Sequence, residues 1–148
     1  MDSKPEHIAI GQKGEQMAAE LLEKKGYKIL HRNWRMGHLE MDIIAANKKD
    51  IVFAEVKTRT STFCGQPEEA VDILKRKRMV AAANAYIKYY KEERNLRFDI
   101  IGILINKDGE IEQITHLENA FVPSLKTIHE SSFTGSWRWH HRRKVIKK

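Results

Sequence analysis

At 148 residues the chain is long enough for one domain with a sizeable core, with or without a tail. Its 41% of apolar residues include no run near the ~18 of a membrane span, and the lone Cys64 excludes an internal disulfide or a cysteine-built zinc site. The net charge of +7 is concentrated at one end: residues 124–148 hold seven of the 27 Lys and Arg but a single acid, Glu130.

The opening stretch, MDSKPEHIAIGQ, lacks the basic-then-apolar layout of a signal peptide. With the unpaired cysteine this points to a cytoplasmic protein with no membrane partner. Residues 6–25 read as an amphipathic helix stopped by Gly26. Ile8, Gly11, Glu15, Ala18 and Leu22 fall on one stripe, where Glu15 is out of pattern. Either it sits at the stripe's edge and reaches solvent, or it is a carboxylate aimed into a site. In the second case Gly11 and Gly14 let another backbone or a ligand come close. Each glycine costs a helix interior about 1 kcal/mol relative to Ala, so a reason for them is expected.

Residues 27–34 read as a first strand, followed by a turn at 35–38. Residues 39–59, LEMDIIAANKKDIVFAEVKTR, hold two apolar runs around a polar turn at 47–50, the pattern of a β-hairpin. Side chains alternate along a strand. Glu40, Asp42 and Ile44 are therefore expected on one face, with Leu39, Met41, Ile43 and Ala45 on the other. On the next strand Phe53, Glu55 and Lys57 share a face, opposite Val52, Ala54 and Val56. Three acids and a lysine thereby converge on one side of two adjacent strands.

Residues 58–66 read as a polar loop. Pro67 then opens a second helix reaching residue 90, with Glu68 and Glu69 at its positive end. Its expected buried side is Val71, Leu74, Val80 or Met79, Ala82, Ala83 and Tyr86. Lys75, Arg76, Lys77 and Arg78 form a cationic run that is either a solvated face or a phosphate contact. Residues 96–105 make the most apolar strand, expected centrally, and 110–117 alternate in polarity like an edge strand. The element order implies an α/β domain over residues 1–123: a mixed sheet of five candidate strands, flanked by helices. Residues 124–148 lose periodicity and read as a flexible tail. There Trp137, Arg138, Trp139, Arg142, Arg143 and Lys144 are either solubilising or a nucleic-acid arm, rings stacking on bases and cations neutralising phosphates.

The chemistry these residues suit is phosphodiester hydrolysis. Asp42 and Glu55 are candidate ligands for Mg²⁺, which takes oxygen donors, keeps several waters and needs only one or two acids. Lys57, on the same face as Glu55, is placed to hydrogen-bond the attacking water or the phosphate and to stabilise developing negative charge. Glu15 completes the set if its helix packs over the hairpin, and Glu40, one pleat away, supports it. The rival account is a pair of exposed salt bridges, each worth about 0–1 kcal/mol. Against it stand the apolar surroundings, where charges need a compensating partner. The histidines show no ligand spacing, and no Gly-rich phosphate loop or strained serine turn is present.

An acid followed by Glu-x-Lys on the next strand resembles the PD-(D/E)XK nuclease signature, with Asp42 and Glu55-Val56-Lys57 as its elements here. Gly14-Glu15 with Ala18, Gly26-Tyr27, Arg32-Asn33, Glu40-x-Asp42, Glu55-Val56-Lys57-Thr58-Arg59, Gly65 with Pro67, and Arg97-Phe98-Asp99 follow in order. Over residues 7–120 this is similar to the YraN-like family of small bacterial predicted endonucleases, and more distantly to archaeal Holliday-junction resolvases. The resemblance implies a restriction-endonuclease-like fold and Mg²⁺- or Mn²⁺-dependent cleavage of nucleic acid, DNA before RNA, branched or damaged DNA included. It maps the catalytic set onto Glu15, Asp42, Glu55 and Lys57. Leu39 departs from the family's usual Gly but leaves every candidate ligand in place. Symmetric cutting of both strands would favour a twofold homodimer. The rival of another class is a non-catalytic nucleic-acid-binding module that keeps the fold.

Overall fold

Apolar alternation broken by turn residues sets the element order. A computed structural model describes residues 3–60 and 73–123. Helix α1 (Ser3–Lys24) leads into β1 (Lys28–Met36), β2 (Leu39–Ala46) and β3 (Asp50–Thr60), then α2 (Ile73–Tyr90), β4 (Asn95–Ile105) and β5 (Ile111–Leu117). The chain leaves α1 through Gly26 at φ +94° and turns between β1 and β2 at Gly37, φ +61°, both backbone states that glycine adopts at little cost. The described strands form a sheet in the order β1-β2-β3-β4-β5. Only β3 and β4, joined through α2, run parallel; the other neighbours are antiparallel. The fold is thus the expected α/β one, a mixed five-stranded sheet with two helices, consistent with a restriction-endonuclease-like architecture. No helix among the described residues is long and apolar enough to cross a membrane.

The two helices cover opposite faces. Ala18, Ala19 and Leu22 of α1 pack on Ile43, Ala45, Val52, Ala54, Ile101 and Ile103. Met79, Val80, Ala82, Ala83 and Tyr86 of α2 pack on Ile44, Phe53, Phe98 and Ile100 from the other side. Alternation along β3 therefore sends Val52 and Ala54 toward α1, and Phe53, Glu55 and Lys57 toward α2.

Four expectations are corrected. Residues 58–60 continue β3, because they pair with Ile103, Leu104 and Ile105 of β4. Leu74 is 56% exposed: the inward stripe of α2, traced back four residues from Met79, passes through position 75 instead. Met41 and Leu39 lie with Ile44 on the α2 side rather than opposite it. The change of side falls at Asp42, across from Asn33, where the ladder skips a pair between Arg32↔Ile43 and Trp34↔Met41 and Asn33 has φ 50°. Finally, nothing lies within 4 Å of a Cβ built on Gly11, whereas one built on Gly14 would strike the Thr58 side chain. Gly14 alone of the pair serves a close approach, bringing α1 down onto β3.

A buried polar cluster ties β4 to β5. Asp99 on β4 is fully buried and accepts hydrogen bonds from Arg97 Nε and Nη2 (both 2.8 Å), from His116 Nε2 on β5 (2.7 Å) and from the Asn119 amide (3.0 Å). These bonds and the Arg97 charge outweigh burial and hold its carboxyl below the usual range.

Two stability measurements follow from this packing. Gly14→Ala is expected to destabilise by about 1–3 kcal/mol through overpacking, and Gly11→Ala to stabilise by about 0.5–1 kcal/mol. Urea melts check both, and adding Thr58→Ala should restore part of the Gly14→Ala loss. Asp99→Ala, which leaves Arg97 facing no acid, is expected to cost about 3–5 kcal/mol at neutral pH. Because the folded-state pKa of Asp99 is depressed, its contribution is present above the ordinary carboxylate pKa and is lost as pH falls through the lowered value. The gap between wild type and Asp99→Asn should accordingly narrow in acid.

Candidate functional site

The site begins where the β2–β3 ladder stops. Backbone pairing runs from Ala46↔Ile51 to Ile43↔Ala54 and no further. Beyond it, the Asp42 carboxylate takes the place of a strand carbonyl, accepting the Val56 N–H at 2.9 Å. Its orientation is thereby fixed by the neighbouring strand. One residue before Val56, Glu55 points to the α2 side and is only 5% exposed. It lies close enough to Asp42 to feel the charge of that carboxylate.

Two cations meet this buried acid. Lys75 Nζ, from α2, is 3.2 Å from Glu55 Oε1, and Lys57 Nζ is 3.9 Å from the same oxygen. They do not restore an ordinary carboxylate. Burial, and then the negative charge of Asp42, push the Glu55 pKa up from 4.5 to about 7 despite Lys75.

Glu15 and Glu40 stand apart from this cluster. Glu15, on α1 next to the Gly14–Thr58 contact, accepts a hydrogen bond from Asn33 Nδ2 at 3.0 Å. It thus reaches the residue across from Asp42, not Asp42 itself. Glu40 turns outward to Arg35 Nη2 at 3.5 Å, and both side chains are more than half exposed. Among the described residues no three Asp, Glu, His or Cys side chains are gathered to hold a metal; the acids meet as the Asp42–Glu55 pair. That pair nonetheless suits a hard divalent cation: two mutually repelling carboxylates, one buried and one half-buried, whose ionised forms a dication would stabilise.

The cationic run on α2 divides by helix phase. Lys75 turns into the site, Arg76 lies over the Phe121 ring at 5.4 Å, and Arg78 is exposed. Reading the four as one surface hid Lys75. The usable signal was its place four residues before the buried Met79. Trp137, Arg138, Trp139, Arg142, Arg143 and Lys144 lie outside the described residues.

The raised pKa of Glu55 has a measurable sign. The folded state keeps a proton that the unfolded chain gives up between pH 4.5 and about 7, so stability falls as pH rises through that window and levels off above it. With chelator present, Glu55→Gln should flatten this slope and exceed wild type on the alkaline side by up to about 3 kcal/mol. Denaturant titrations across the window check it.

Comparison with known proteins places the chain. The profile described as "Uncharacterised protein family UPF0102" matches residues 14–103, a stretch that contains Glu15, Asp42, Glu55, Lys57 and Lys75. A UPF0102 protein of Bacteroides thetaiotaomicron is 49% identical over 120 residues, covering 81% of this chain and 98% of that protein. One from Flavobacterium johnsoniae is 45% identical over 120 residues, with 78% and 96% covered. A third, from Porphyromonas gingivalis, is 39% identical over 127 residues, with 86% and 94% covered. The chain therefore belongs to the UPF0102 family, the YraN-like group whose motif order it shares.

Proposed function

We propose that the protein is a Mg²⁺- or Mn²⁺-dependent endonuclease that hydrolyses phosphodiester bonds of DNA, branched or damaged DNA included. The observation that carries the reading is buried Glu55 beside half-buried Asp42, with lysines closing on Glu55 from β3 and α2. Asp42 and Glu55 would hold the ion. When bound, the ion supplies charge neutralisation at the phosphate and a more acidic water. Asp42 is oriented for this by the Val56 amide, and Glu55 by its place on an interior strand. Lys57 stabilises the negative charge that grows on the phosphate oxygens and orients the attacking water. Glu15, held by Asn33, acts as a third acid through water rather than as a direct ligand. Arg78, exposed on α2, and the Trp-Arg stretch of residues 137–144 supply phosphate and base contacts along the DNA.

One observation favours a second reading, a nucleic-acid-binding module without turnover: Glu55 already has cations within ion-pair distance. That reading predicts salt-dependent DNA binding and no product under any metal.

The deciding experiment sets linear, nicked, single-stranded and four-way-junction DNA against Mg²⁺, Mn²⁺ and chelator. Wild type, Asp42→Ala and Lys57→Ala are run side by side. Cleavage should require metal, and each variant should lose about 10²–10³-fold or more in rate while remaining folded by circular dichroism. Undiminished cutting by folded Asp42→Ala would falsify the assignment.

A further inference from the structure

The ring contacts that hold α2 to the sheet do not stop at the core. Trp34 and Phe53 each meet the buried Tyr86 ring edge-on, at 5.5 and 5.6 Å between centroids. Tyr86 lies against Tyr90 at 4.4 Å, and Tyr90 against Tyr89 at 4.8 Å. His31 of β1 stands 5.4 Å from Tyr86 and 5.5 Å from Tyr90. The series thus climbs from the interior to the surface, where Tyr90 is 46% and Tyr89 68% exposed. Tyr89 leaves most of its side chain in water, yet its position is set by rings anchored in the core. Helix α2 ends directly after the pair: Lys91 has φ 53°, and the Glu92 amide donates back to the Ile87 carbonyl at 3.1 Å. Arg94, held by Glu92, donates to the Asn47 carbonyl at 3.2 Å and so ties the end of α2 to the β2–β3 turn. Lys48 and Lys49 on that turn and Lys88 and Lys91 at the helix end are all exposed. Four cations therefore share one end of the molecule with the two open tyrosines, against the neighbouring acids Asp50 and Glu93.

We propose that Tyr89 and Tyr90 form a stacking platform for the unpaired bases of a single-stranded nucleic acid, whose phosphates the nearby lysines neutralise. Every base has a π-face, so open rings beside cations hold a single strand without reading its sequence. A duplex keeps those faces inside its own stack and has none to lay on the rings. The concentration of lysines selects a polyanion over an apolar protein partner. Lys75 and Tyr90 stand near the two ends of α2, about 22 Å apart at about 1.5 Å per residue, so the platform is separate from the Asp42–Glu55 pair. A substrate that reaches both carries an unpaired stretch beside the bond to be cut. This deepens the nucleic-acid part of the reading above and rests on it, but not on metal or turnover.

The test uses the full chain in chelator, so that binding is read without cleavage. A fluorescent oligothymidylate and a DNA duplex of equal length are followed by anisotropy. Tyr89→Ala should bind the single strand about tenfold more weakly, and Tyr90→Ala likewise, with duplex affinity little changed. Tyr89→Phe, which keeps the ring, should stay within about twofold of wild type. Lys88→Gln should weaken single-strand binding and lower its salt dependence. Tyr89 is the more exposed of the two rings, so Tyr89→Ala carries the test if Tyr90→Ala does not fold. Single-strand binding that Tyr89→Ala leaves unchanged overturns the platform, and so does an equal loss on the duplex. A wild-type dimer that Tyr89→Ala turns into a monomer in sedimentation, with single-strand affinity intact, assigns the rings to a contact between copies and also overturns it. These three outcomes leave metal-dependent cleavage standing. A wild type that binds neither nucleic acid removes both this inference and the nucleic-acid reading beneath it.

Discussion

Burying Glu55 is the constraint around which the rest of the molecule is arranged. A carboxylate withdrawn from water inside a sheet is costly unless charges or donors meet it. Along β3 the α2-facing positions run Ile51, Phe53, Glu55, Lys57, so hydrocarbon gives way to charge partway down the strand. The inward stripe of α2 makes the same change, from Tyr86, Ala83 and Met79 to Lys75. Because both elements change polarity at the same level, the core ends and the site begins along one line. That match is what lets a compact apolar layer and a cluster of charges share one face of one sheet.

The opposite face keeps the strands in place. Gly14 lets α1 settle against Thr58, two residues after Val56, whose amide orients Asp42. The same approach brings Glu15 to Asn33, the irregular position facing Asp42. At the other end Asp99 ties β4 to β5 and to the turn beyond it. The Arg97-Phe98-Asp99 motif is thereby explained as structure: Arg97 and Asp99 pair beneath the α1 side, while Phe98 stacks on Phe121 at 4.8 Å on the α2 side.

Most of the architecture was legible in the sequence because its signals are local. Gly26 and the turns at residues 37–38 and 47–49 bound the elements, and period-two alternation on β3 put Glu55 and Lys57 on one face. What escaped depends on partners far along the chain. Residues 58–60 look like loop until β4 offers them a parallel neighbour. Strict alternation misplaced Met41 and Leu39, since it takes no account of the level of Asn33 and Asp42, where the β1–β2 ladder skips a pair. Lys75 was submerged in a run of like residues, although helix phase distinguishes it from Arg76 and Arg78. Glu40, assigned a supporting role by alternation, is drawn outward by Arg35.

Family membership supplies no chemistry, since UPF0102 is described only as uncharacterised. Two buried acids of this one protein differ in a way that marks one of them as a site. Asp99 is met by four hydrogen bonds from groups held in fixed places, and its pKa is driven down. That is how a structural carboxylate is satisfied. Glu55 is buried nearly as well, but it faces another acid and two partly exposed ammonium groups, and its pKa is driven up to about 7. A fold able to satisfy Asp99 so fully has no structural need for an acid left in the second state. An acid pair of this kind, with one pKa raised by burial and by its neighbour, is the arrangement expected at a functional site. The contrast between Asp99 and Glu55, more than any motif, is what supports reading the end of β3 as the working part of the molecule.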